Sequence, residues 1–165
     1  MQPRTALRRA PLAARPKDVA ALVAKGKAQM ELARTNGTTD WHGIRKWFLD
    51  ANKLDPEAAE PLMRFYQTYL YAGQQPTTNA VDGLLYAAAL VPQDSKLRLM
   101  AVRQLLRDSN LAKAKSTFAP FAFSPHSKNA WNAVSAKAVA AMNDGNASEA
   151  AGQIERLQKL LEEDD

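Results

Sequence analysis

Apolar residues recur along this chain at three- and four-residue spacing, and nowhere does an alternating pattern persist for the length of a strand. That spacing predicts helices with one buried face. Pro16-Lys17-Asp18 opens the first, with Val19, Leu22, Val23, Gly26, Met30 and Ala33 on one side, and Asn36-Gly37-Thr38-Thr39 breaks it. Asp40 can cap a second helix striped by Ile44, Phe48, Ala51 and Leu54 before Pro56. A third carries Leu62, Phe65, Tyr66 and Tyr69 and closes at Gly73. The fourth starts near Thr77 or Thr78, shows Ala80, Leu84, Ala87 and Leu90, and stops at Pro92. Asp94 or Ser95 can cap a fifth that runs to about Asp108. Asn110 caps a sixth, with Ala114, Phe118 and Phe121 inward and Pro125 at its end. Ser127 caps a seventh, with Trp131, Val134, Ser135 and Ala138 inward, and Gly145-Asn146 ends it. The eighth begins at Ala147 or Ser148 and buries Ala150, Ile154 and Leu157. Eight helices joined by short loops make an all-α chain.

The stripes repeat. Ile44, Phe48, Ala51 and Leu54 stand before Pro56 at the same distances as Ala80, Leu84, Ala87 and Leu90 before Pro92, 36 residues on. After 34 more residues come Ala114 and Phe118, and after another 36 Ala150 and Ile154. A period of 34–36 with two helices per unit is the signature of stacked helical hairpins. A lone hairpin cannot cover its own apolar face, so each unit leans on its neighbours.

This pattern resembles the tetratricopeptide repeat family. The family's small or apolar, aromatic or aliphatic, alanine and proline positions correspond to Ile44, Phe48, Ala51 and Pro56, and to Ala80, Leu84, Ala87 and Pro92. Its small first-helix residue matches Gly26 and its early tryptophan matches Trp131. The resemblance implies a right-handed α-solenoid of about four helix-turn-helix repeats over residues 17–161. A basic flexible arm, 1–16, would precede it, and a frayed acidic tail, 162–165, would follow. In the third repeat, strict spacing puts Arg98 at a packing position, and rotating that helix by one residue would relieve the conflict.

Charge adds little to that picture. The net charge is +5, but residues 1–17 hold Arg4, Arg8, Arg9, Arg15 and Lys17 without an acid. The remaining chain is balanced, so the basic character belongs to the arm and speaks to association rather than fold. Without aromatic interleaving or a basic fold face, this argues against nucleic-acid binding. The absence of cysteine excludes disulfides and thiolate metal sites. No apolar run is long enough for a membrane span or a secretory signal. The expectation is a soluble chain, cytoplasmic or periplasmic.

Candidate chemistry is sparse. His42 and His126 have no second ligand at helical spacing, which points to capping or surface roles and to no metal. No phosphate-cradling, dinucleotide or nucleophile-elbow motif is present, so neither a cofactor nor catalysis is expected. The resemblance instead implies a concave groove lined by the first helix of each repeat. Its positions fall on Lys27, then Met63, Gln67 and Tyr71, then Lys96, Leu99, Arg103 and Arg107, then Asn129 and Asn132. Lys96, Arg103 and Arg107 share one helix face by spacing alone. A row of cations there suits an acidic or carboxylate-bearing peptide. The competing expectation is a solvated face whose charges pair with Asp94 or Asp108. Lys27 is followed four residues later by Glu31, so the family's carboxylate clamp is not reproduced.

Three functions remain open at this point. One is a protein-interaction module or scaffold with a peptide groove. Another is an accessory C-terminal segment of a larger bacterial peptidase-like enzyme, a reading prompted by Ala119-Pro120-Phe121-Ala122-Phe123-Ser124-Pro125-His126, with repeats that pack on a neighbouring domain or form a homodimer. The third is nucleic-acid binding through the arm.

Overall fold

The computed structural model describes residues 16–37, 40–123 and 129–163, with side chains from Asp18 onward. The described residues form eight helices and no strand: α1 (Pro16–Asn36), α2 (Trp41–Leu54), α3 (Ala59–Tyr71), α4 (Thr78–Leu90), α5 (Ser95–Arg107), α6 (Leu111–Ala122), α7 (Asn129–Asn143) and α8 (Ala147–Glu163). The all-α expectation therefore holds. The arm up to residue 15, the sixth helix's expected stop at Pro125, the expected cap Ser127, and residues 164–165 of the acidic tail lie outside the described residues. Glu162 and Glu163 belong to α8.

The starts and stops have local causes. Asp40, Thr77, Asp94, Asn110 and Asn146 each accept a hydrogen bond from a backbone N–H in the first turn of the following helix, at 3.0–3.3 Å. These bonds satisfy donors that a helix start leaves unpaired. At the other end, the positive-φ residues among the described ones are Gly37, Gly73, Ser109 and Gly145, each 36 residues after the last. They close the first helix of every hairpin. Gln74, Asn110 and Asn146 donate back to Tyr69, Leu105 and Ala141 at 2.9 Å, the six-residue closure of a left-handed helix end. Ser109 holds at φ 58° a backbone position that the other three hairpins give to glycine. The repeat is thus written into the turns as well as the stripes.

The chain divides after Leu90 into two compact units. In the first, α1 packs on α2, α2 on α3 and α3 on α4, and α1 also lies along α3. This is the packing order of two hairpins in series. Its core gathers Val23, Met30, Ala33, Ile44, Phe48 and Ala51. Gly26 makes that core possible: a Cβ there would stand 2.6 Å from the Phe48 ring.

The second unit departs from the serial expectation. α5 packs on α6, α6 on α7 and α7 on α8, but the other main partner of α5 is α8, not α7. The last helix returns to the first, so the order is a closed ring of four helices. Hairpins stacked in a solenoid would instead set α5 against α7. In this ring α5 buries Leu97, Ala101 and Leu105 together with a second stripe, Leu99, Val102 and Leu106. A helix that is apolar on two sides needs two neighbours. Arg98 fits without rotating the helix, because its guanidinium lies over the Phe121 ring at 5.0 Å and donates to the Thr117 carbonyl at 3.3 Å.

Two glycines of different surroundings test this packing. Replacing Gly26 with alanine should lower unfolding free energy by about 1–2 kcal/mol, since overpacking outweighs the gain in helix propensity. Nothing lies within 4 Å of a Cβ at Gly152. The same change there should raise stability by up to ~1 kcal/mol. Urea denaturation of the two variants would read both signs.

Candidate functional site

The ten groove positions divide between the units, four in the first and six in the second. In the first, Met63, Gln67 and Tyr71 recur every fourth residue along α3, and Lys27 lies on the neighbouring α1. The two helices are joined by a polar chain. Lys27 Nζ is 3.3 Å from Glu60 Oε1, Arg64 Nε is 3.5 Å from the same oxygen, and Arg64 Nη1 donates to Gln67 Oε1 at 3.2 Å. Further along, the Arg34 guanidinium lies 4.6 Å from the centre of the Tyr71 ring and pairs with Glu31 at 3.0 Å. Met63 is half-buried, while Tyr71 keeps 39% of its surface exposed. The α1–α3 face thus joins an aromatic ring, a thioether, an amide and exchangeable charges. Exposed ion pairs of this kind contribute only about 0–1 kcal/mol, so they can be traded for other partners at little cost.

The second unit brings its six positions together differently. Leu99 is fully buried, at 0% exposure, and belongs to the core rather than to a groove. Arg103 is committed to α8, donating to Gln158 Oε1 at 3.1 Å and standing 3.6 Å from Glu155 Oε2. The commitment of Arg103 follows from α8 lying along α5. Nor do the expected acids Asp94 and Asp108 neutralise Arg103. Asp94 caps α5, and Asp108 accepts from the Gln104 side chain at 3.2 Å. Lys96 and Arg107 are exposed. Asn129 is exposed at the start of α7, and Asn132 is half-buried, with an oxygen that is buried and unpaired. The single cationic row expected on α5 is therefore interrupted at its middle. Leu99, Val102 and Leu106 form a second apolar stripe beside Arg103, but Met63, Tyr66 and Leu70 repeat that spacing on α3, so it carried no signal for the difference.

One arrangement was not read from the sequence at all. Arg45 on α2 reaches across to α3, where its Nε donates to Thr68 Oγ1 at 2.9 Å. Its Nη2 donates to Gln74 Oε1 at 2.6 Å, and its guanidinium lies 3.7 Å from the Tyr69 ring centre. Burial pushes the Arg45 pKa down, and Tyr69 opposes that shift. Thr68 is fully buried and passes its own hydrogen to the Phe65 carbonyl at 2.6 Å. The cluster fixes α2 against α3 and so holds the second hairpin on the first. Its members sit 23 and 29 residues apart, beyond any helical spacing rule.

His42 is exposed, and His126 lies outside the described residues. Among the described residues no group of three histidines, aspartates or glutamates could hold a metal ion, and no helix is long and apolar enough to cross a membrane. No family model matches the chain, and no curated protein or solved structure matches it either.

Arg45→Ala should destabilise the protein by about 1–3 kcal/mol, because Thr68 Oγ1 loses a buried charged donor. Arg45→Lys should not restore the loss, since a lysine cannot stack flat on Tyr69 while reaching two acceptors. Chemical denaturation of both variants would measure this.

Proposed function

We propose that this chain is a protein-interaction module, related in design to tetratricopeptide repeats, whose α1–α3 face holds an extended segment of a partner protein. The observation that carries the reading is the contrast between repeat-equivalent positions. Lys27 and Met63 are accessible in the first unit, whereas Leu99 and Ser135, 36 and 72 residues beyond Met63, are buried in the second. Met63 and Tyr71 leave part-exposed apolar area at the edge of this face that a partner segment can bury.

The partner segment in this reading is acidic or ends in a free carboxylate. Lys27 and Arg34 stand along the face and can exchange their exposed pairing with Glu60 and Glu31 for carboxylates of a ligand. Tyr71 and Met63 supply apolar contact of the kind that anchors interfaces. The reading includes no catalytic step and no cofactor.

Affinity purification of the full chain from its host, followed by mass spectrometry, tests the proposal. A Met63→Glu/Tyr71→Ala protein should lose at least one partner that the original chain recovers, while an Arg107→Glu protein keeps it. Recovery of the same partners in the same yield by both variants would refute the α1–α3 assignment.

A further inference from the structure

A second surface of the first unit has different chemistry. Between α2, α3 and α4 lies a cleft of about 140 Å³, floored by Leu62 and Phe65 and bordered by Leu49. Its polar edge is formed by Asn52 from α2 and by Asn79 and Asp82 from α4. No cation lines it. Between Arg64 and Asp94 the sequence contains one charged residue, and it is this Asp82.

The cleft is open because of a missing side chain. Gly83 sits inside α4, where glycine is unfavourable, and a Cβ there would approach Leu62 to 3.3 Å. One repeat earlier, the equivalent position is Trp47, whose indole donates to Gln29 at 3.0 Å and carries Lys25 Nζ at 4.6 Å from its ring centre. The first hairpin is thus plugged where the second is hollow. Tyr86, one turn beyond Asp82, donates to Glu57 Oε1 at 2.7 Å and ties α4 to the α2–α3 turn beside the cleft.

We propose that this cleft anchors an extended peptide of a partner protein that carries one aliphatic or aromatic side chain next to a lysine or arginine. The hollow is too small for a typical cofactor or drug-sized ligand, which fills ~300 Å³ or more. It suits a single side chain, since a cavity of about 150 Å³ accepts a benzene-sized group. Asn52 and Asn79 flank it with carboxamides, and each offers both a donor and an acceptor to the N–H and C=O of an extended chain. Asp82, unopposed by any lining cation, selects the basic neighbour. The charge preference is the reverse of that proposed for the α1–α3 face, so the two surfaces can be told apart.

The test is a titration of the full ¹⁵N-labelled chain with the blocked peptide acetyl-Gly-Leu-Arg-Arg-Gly-amide. Saturable shifts are expected at the Gly83 backbone and at the Asn52 and Asn79 side-chain amides, with a dissociation constant of roughly 0.1–1 mM. Asp82→Asn should weaken binding about fivefold or more. Gly83→Leu should abolish it by filling the hollow. If that variant does not give a folded spectrum, Gly83→Ala serves instead and should weaken binding measurably. No saturable shift up to about 5 mM would overturn the proposal. So would equal binding of the peptide with both arginines changed to glutamate, undiminished binding to the Gly83 variant, or shifts confined to the α1–α3 face.

Discussion

Each helix of this chain carries an apolar stripe that it cannot shield alone, and the way those stripes are shared decides the rest of the structure. In the first unit the stripes are covered within each hairpin and by the neighbouring one. Phe48 and Ile44 on α2 meet the small and apolar residues of α1, and Gly26 lets the Phe48 ring come in close. In the second unit α5 carries two stripes and packs against both α6 and α8. A repeat of one length therefore supports two packing orders. What separates them is that α8 lies along α5, where Leu99 is fully buried, while its repeat equivalent Met63 on α3 stays half-buried.

That difference has a direct consequence for binding. A groove in a hairpin array is an apolar face that the array itself leaves unfilled. In the second unit α8 takes the face beside Leu99, and Arg103 is spent on holding it there through Glu155 and Gln158. In the first unit α1 and α3 keep Met63 half-open and Tyr71 exposed, and the α2–α4 cleft is kept empty by a glycine. The interaction proposals accordingly concentrate on the first unit.

Much of the fold was legible in the sequence because helix signals are local. The caps at Asp40, Asp94 and Asn110 and the breaks at Gly73 and Gly145 were readable from three or four adjacent residues. Stripes such as Ala80-Leu84-Ala87 and Ala150-Ile154-Leu157 were read correctly as core. The packing order of the second unit was not foreseen. Stacking was inferred from the repeat length, which says which helices pair within a hairpin but not which hairpin face the next one covers. For the same reason Leu99 and Arg103 were assigned to a groove, although a family pattern fixes positions on a helix and not what lies opposite. The Arg45–Thr68–Gln74 cluster and the Gly83 hollow depend on contacts between separate helices, and neither has a periodic signature.

The closure of α8 over α5 is tested most directly by nuclear Overhauser spectroscopy from selectively labelled Leu99 methyl groups in the full chain. The expected result is a set of cross-peaks from Leu99 to side chains of α8, with the methyls shielded from solvent. Cross-peaks to α7 in place of α8, or solvent-exposed methyls, would contradict the ring and restore the serial stack.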